Sequence, residues 1–169
     1  MKRLWLCLPL FLAFPASAAW LKLDKSADSF LFQGAEDGEP FSFNVPGTTV
    51  RTAKDGDRAL AEIDGVLVQV MLVPIDVRAK RDAIEAFRIS EQRYLAKAGS
   101  EIATSNICAQ SSVAHAEWAS KLGGRISRYL VVKARKRLLV ITVVASDDRL
   151  PESSAPQVLA AVCSSLKVT

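Results

Sequence analysis

Cys108 and Cys163 are the side chains best suited to covalent chemistry in the mature part of this chain. An even pair of cysteines in an oxidising compartment points to a disulfide. Closing the loop between them contributes about 4 kcal/mol in the chain-entropy description. The alternative is a pair of buried free thiols behaving as small hydrophobes. A redox-active pair would sit close together in sequence with a depressed thiol pKa, and these two lie far apart. His115 is the sole histidine, and neither G-x-S-x-G nor H-E-x-x-H accompanies it. It therefore reads as a surface or packing residue rather than a general base. Ser164-Ser165-Leu166-Lys167 has the form S-x-x-K, yet it lies at the end of the chain without S-D-N or K-T-G. Glu36-Asp37-Gly38-Glu39 carries three carboxylates but lacks the alternate spacing that wraps calcium, so it reads as a solvated loop. No catalytic residue, metal or cofactor follows from these motifs.

Positive charge offers a different chemistry. Arg125, Arg128, Lys133, Arg135, Lys136 and Arg137 gather around one expected hairpin. Such a cluster can dock an acidic protein or anionic envelope material, or simply solvate a turn and discourage edge pairing. Aromatic residues do not interleave with these cations as stacking platforms would, which disfavours nucleic acid. Trp118 reads as either a core residue or an exposed partner-binding anchor.

The first twenty residues carry an address. Lys2 and Arg3 form a positive start, and Leu4 to Phe14 form an apolar run broken by Pro9. Ala16-Ser17-Ala18 then presents the small residues a signal peptidase accepts. The expected signal peptide is 1–18, with the mature chain starting at Ala19 or Trp20. Cys7 lies inside the apolar run and is discarded with it. The run is too short to span a bilayer, for which about 20 apolar residues are needed. These features read as bacterial, and place the mature protein in the periplasm or outside the cell. Loss of Lys2 and Arg3 lowers 22 basic side chains to 20 against 18 acidic ones. A surplus that small argues against nucleic-acid binding.

The elements that must position these residues follow from hydrophobic period and turn residues. Within 169 residues, 50% hydrophobic, one domain over 19–169 can bury a full core. Phe41, Phe43 and Val45 alternate with Ser42 and Asn44 as a half-buried strand, closed by Pro46-Gly47. Asp55-Gly56 and Asp64-Gly65 mark hairpins on either side of Arg58 to Ile63. Val66 to Val73 is apolar on both faces apart from Gln69, which predicts a central strand covered on both sides. A helix is expected from about Val77 to Ala98, capped by Asp76, stopped at Gly99, with Ile84, Phe87, Tyr94 and Leu95 turned inward. The small residues of Ser100 to Leu122 permit a helix, but strands are preferred there; Gly123-Gly124 and Arg135-Lys136 read as turns, and Ile126 to Lys133 and Leu138 to Ala145 as strands. Ser153 or Ser154 caps a last helix that buries Val158, Leu159, Val162 and Leu166. The fold class is α+β: a mainly antiparallel sheet of two meanders, with a long helix and a C-terminal helix on its faces.

Phe41-Ser42-Phe43-Asn44-Val45-Pro46, the following hairpins, the long helix after Pro74 and the strand pair before a terminal helix resemble the PsbP-like superfamily. The periplasmic DcrB-type branch is the nearest in pattern, over roughly Phe41 to Val168. The resemblance implies a non-enzymatic adaptor, assembly factor or chaperone, and it transfers no site residue. The leading functional expectation is thus a non-catalytic periplasmic protein that binds another protein. The alternatives are an immunity protein that neutralises a secreted toxin, a small hydrolase built around His115, and a ligand carrier with a pocket between sheet and helix.

Overall fold

Phenylalanines spaced two apart build the first sheet. Phe30 and Phe32 in β2 (Ser29–Gly34) and Phe41 and Phe43 in β3 (Phe41–Pro46) point to the same side, because strand side chains alternate. Phe32 and Phe43 are direct cross-strand partners and stack at 4.8 Å. With β1 (Leu21–Lys25) and the short β11 (Lys167–Val168) they form a four-stranded antiparallel sheet, in the order β1-β2-β3-β11. The structure is a computed structural model and describes residues 20–34, 40–55, 58–75, 82–145, 151 and 153–168. The expected signal peptide, the acidic stretch 36–39, Gly56 and Asp76 all lie outside the described residues.

The second sheet has seven strands: β4 (Val50–Asp55), β5 (Arg58–Ile63), β6 (Val66–Pro74), β7 (Glu101–Thr104), β8 (His115–Leu122), β9 (Arg125–Lys133) and β10 (Arg137–Ala145). Their order is β4-β5-β6-β10-β9-β8-β7, and every pairing is antiparallel. Two meanders, β4–β6 and β7–β10, are thus joined through β6 and β10. The turns are those the residue types predict. Asp64 and Gly65 have φ of 46° and 81°, and Gly123 and Gly124 have φ of 56° and 85°, as tight hairpins require. Residues 105–114 between β7 and β8 form an irregular segment, so the strands expected over 100–122 are two separate ones.

Phe41 to Val45 does not continue the meander of β4 to β6. After Pro46 the chain leaves the four-stranded sheet and enters the seven-stranded one. Gly47 makes the crossing, with its N–H donating to the Asp28 carbonyl at 2.9 Å. At φ 153° a side chain there would meet Ile63 Cγ2 at 2.2 Å, so only glycine fits. Asp64 holds the exit. Its carboxylate accepts the N–H groups of Thr48 and Thr49, at 2.8 and 2.9 Å, and the Thr49 hydroxyl at 2.6 Å.

Helix α1 (Ala83–Lys97) lies on one face of the seven-stranded sheet, over β7, β8 and β9. Its N-cap is Asp82, not Asp76: the Asp82 carboxylate accepts the N–H groups of Ile84 at 2.9 Å and Glu85 at 3.1 Å. Gly99, at φ 86°, follows its end as expected. The inward stripe is narrower than its spacing suggests. Ile84 and Phe87 pack on the sheet, whereas Tyr94 is 68% exposed. Helix α2 (Ser154–Ser165) covers the opposite face, against β3 and β10. It buries Val158, Leu159 and Val162, with Leu166 just beyond its end. Ser153 occupies the N-cap position, but its side chain makes no capping hydrogen bond.

The main core fills the space between α2, the four-stranded sheet and the inner face of the large sheet, where Val68, Val70, Leu139, Ile141 and Val143 are fully buried. A smaller core lies under α1, around Trp118, Val131, Leu138 and Val140. The two faces of β6 therefore differ. Val66, Val68, Val70 and Leu72 are sealed, while Leu67, Gln69, Met71 and Val73 are only half-buried. Helix α1 is too short and lies too far to one side to cover them.

Candidate functional site: a cleft beside the long helix

Where α1 stops short of β5 and β6, a cleft of about 540 Å³ remains between the helix and the sheet. Met71, Val140 and Val144 supply apolar surface from β6 and β10, and Phe87 closes one side from the helix. Around this patch stand Arg58, Gln69, Ser127, Tyr129 and Thr142 from four strands, with Glu91 and Tyr94 from α1. Strand alternation explains the lining. Arg58 pairs in register with Met71, and Gln69 with Thr142, which pairs in turn with Tyr129; all of them share the α1 side of the sheet.

Glu91 is the cleft's titrating group. Burial raises its carboxyl above the ordinary value of 4.5, and the positive charge of Arg58 offsets part of that rise. The floor beside it is stiff, because Tyr129 stacks on the fully buried Trp118 with ring centroids 5.0 Å apart and planes 5° from parallel. The Ser120 hydroxyl lies 3.3 Å from the Tyr129 hydroxyl. An apolar patch framed by a carboxyl, a guanidinium, an amide and several hydroxyls can bind an amphipathic group in a defined orientation. Glu91 and Arg58 were not among the residues that the motifs singled out. The signal for Glu91 was its spacing, four residues after Phe87 and three before Tyr94, on the face that should be apolar.

The sequence-based candidates lie elsewhere. Cys108 and Cys163 are disulfide-bonded, tying segment 105–114 to α2, and both are buried. Trp118 is fully buried, so it is a core residue and not an exposed anchor; its place on the α1 face of β8 carries it beneath the helix. The cations do not form one patch. Arg125 is exposed at the β8–β9 turn, while Arg135 and Lys136 are exposed at the β9–β10 turn, at the other end of nine-residue β9. At a strand rise of about 3.3 Å per residue the two ends stand roughly 25 Å apart. Arg128 is half-buried in mid-strand, between Ala119 and Val143, and Arg137 is half-buried at the start of β10 beside Pro74. His115 is half-buried, with Nδ1 2.8 Å from the Val113 carbonyl oxygen. The Ser164 hydroxyl donates to the Ala161 carbonyl at 2.9 Å, in the last turn of α2 rather than at a helix start where an acylating serine would sit.

Fold and site together describe an α+β protein of two antiparallel sheets, with a half-open cleft on one face. No protein-family model matches the chain, and no curated protein matches it.

Proposed function

We propose that this chain is an exported, non-catalytic protein that works by binding another protein, and that the cleft beside α1 receives a segment of that partner. The carrying observation is the uneven cover of the seven-stranded sheet: one face is sealed, while the other leaves half-buried apolar and polar side chains next to Glu91 and Arg58. Half-buried Leu60 and Leu67 extend this face beyond the cleft, which suits an extended segment better than a compact small molecule. A partner side chain of apolar character would rest on Met71, Phe87 and Val140. Its polar neighbours would meet Glu91, Arg58 and the hydroxyls.

Capture of envelope proteins on the purified mature chain, identified by mass spectrometry, tests this reading. Thr142→Arg fills the cleft from a half-buried strand position and should abolish recovery of the partner. His115→Ala should leave recovery unchanged. Retention by Thr142→Arg together with loss in His115→Ala would move the site to the histidine and favour the hydrolase reading.

A second surface has its own observation. Arg135 and Lys136 are exposed at the tip of two strands whose adjoining stretches, Leu130 to Val132 and Leu138 to Ile141, are buried, so the charges are carried on a rigid support. Such a tip steers an acidic partner, acting chiefly on association rate. Replacing Arg135, Lys136 and Arg137 with serine should slow association and flatten its dependence on salt while leaving the fold intact. An unchanged rate at low salt removes this surface from consideration.

A further inference from the structure

Beneath segment 105–114, on the face away from α1, the Cys108 sulfur, a His115 ring nitrogen and a Glu117 carboxylate oxygen all lie within 4.8 Å of one another. Cys163 is bonded to Cys108, so its sulfur stands beside this cluster, outside the three atoms that share the 4.8 Å limit. We propose that these four side chains form a site for zinc or a zinc-like divalent cation in the reduced protein, and that the disulfide closes it.

Three observations besides proximity support this. One Glu117 oxygen accepts the Cys108 N–H at 3.0 Å, while the other is buried with no hydrogen-bond partner among the described residues. A buried, unpartnered carboxylate oxygen is costly and calls for a cation or a donor. The His115 Nδ1 faces the Val113 carbonyl at 2.8 Å. A proton on Nδ1 would serve that carbonyl and leave Nε2 with its lone pair, the arrangement usual for a metal-binding histidine. Finally, a cavity of about 550 Å³ lies against both cysteines, bounded by residues 106–112 and the last turns of α2, and exposes the two sulfurs' side of the cluster to a reductant.

The donor set is two sulfurs, one nitrogen and one oxygen, which suits tetrahedral zinc. Bond lengths of about 2.0–2.3 Å would bring ligand atoms to roughly 3.3–3.8 Å apart. The three atoms must therefore contract by about 1 Å, and the Cys163 sulfur must part from Cys108 and close on the other ligands. Cys108 lies in an irregular segment, which can absorb that movement more readily than a strand. The chemistry balances. A dithiol reductant passes two electrons and two protons to the disulfide, giving two cysteine thiols and its own cyclic disulfide. The cation then displaces both thiol protons to solvent and keeps its oxidation state.

Cobalt(II) titration of the mature protein tests the site, after anaerobic reduction with a phosphine. The reduced wild type should bind one equivalent, with a thiolate-to-cobalt charge-transfer band and the intense visible bands of tetrahedral cobalt. The disulfide form should show neither. His115→Ala and Glu117→Gln should each weaken binding by at least about tenfold, as loss of one ligand does. Zinc should raise the melting temperature of the reduced wild type, including the case in which reduction alone unfolds it. Three results overturn the proposal: no thiolate band, bands unchanged in both variants, or a reduced chain that zinc does not stabilise.

Discussion

Asp64 shows how much one side chain can hold. It sits in a hairpin turn at φ 46°, and its carboxylate accepts the N–H groups of Thr48 and Thr49 and both threonine hydroxyls. The Thr49 hydroxyl is the largest cause, followed by the two backbone N–H groups, holding the carboxyl below its ordinary 3.8. A depressed carboxyl contributes stability that is present above the unfolded value and lost as pH falls through the folded one. Asp64→Ala should cost about 1 kcal/mol or less in urea unfolding at neutral pH, since these bonds are exposed to solvent, and the loss should shrink in acid. Glu91 has the opposite sign. Its raised carboxyl contributes stability only in acid, and that contribution is lost as pH rises through the folded value. Glu91→Gln should therefore raise the neutral-pH melting temperature and flatten its decline from acid to neutral pH. An unchanged profile in the variant would remove Glu91 from the cleft's electrostatics. Asp64-Gly65 was legible as a turn from residue type alone, but its grip on Thr48 and Thr49 was not. Those bonds join residues 15 and 16 positions apart, and only the antiparallel register of β4 against β5, which sets Val50 opposite Ile63, brings them together.

At the scale of elements, α1 depends on its cap. Asp82 satisfies two of the N–H groups left free at the helix start, and Asp82→Ala should cost about 1 kcal/mol. The loss should appear as faster amide exchange in the first turn, since α1 buries no residue fully and has little packing to compensate. Arg88 adds a bidentate contact to Glu85, with N–O distances of 2.7 and 2.5 Å, and reaches Gln92 at 3.1 Å. These exposed bonds are screened by solvent and add little to stability. The helix was legible from its period and from Gly99, whereas its start was not. Asp76 and Asp82 are equally good caps by residue type, and the choice depends on where the chain leaves β6. Gly47 carries a similar lesson. Pro46-Gly47 read as the close of a strand, and the structure makes it the passage between two sheets. Gly47→Ala would drive a methyl group against Ile63, and overpacking of this kind costs about 1–3 kcal/mol. Thermal unfolding should show a lowered midpoint, with Asp64→Ala less than additive because both act on the same crossing.

The whole molecule is held by two cores and one covalent tie. The disulfide joins residues 55 positions apart and links segment 105–114 to α2, with a Cα–Cα distance of 5.4 Å. Cys163→Ser should lower stability by about 2–5 kcal/mol. Denaturing electrophoresis under non-reducing conditions should show a compact band that slows on reduction. Rapid alkylation of both thiols in the unreduced protein would contradict the bond. The rest of the chain should stay folded when the tie is cut, because Val68, Val70, Leu139, Ile141 and Val143, which share the main core with the two cysteines, are fully buried there. Among the described residues, no helix is long and apolar enough to cross a membrane.

Local chemistry decided the elements. Alternating phenylalanines, Asp-Gly and Gly-Gly pairs and the β-branched runs of β6, β9 and β10 each act over a few residues, so these strands, their turns and the α+β class could be read directly from the chain, whereas β1, β2 and the split into two sheets could not. The cysteine pairing was legible too, because only two thiols remain once Cys7 is set aside. Tertiary structure decided how the faces are used. Whether Trp118 is sealed or exposed depends on which side of β8 faces α1, and whether six cations form a patch depends on strand length separating the two ends of β9. The cleft follows from a helix narrower than the sheet beneath it, a mismatch between elements far apart in sequence. Glu91 and Arg58 meet there because register and packing place them together, and burial, which sets the Glu91 carboxyl, exists only in the folded chain.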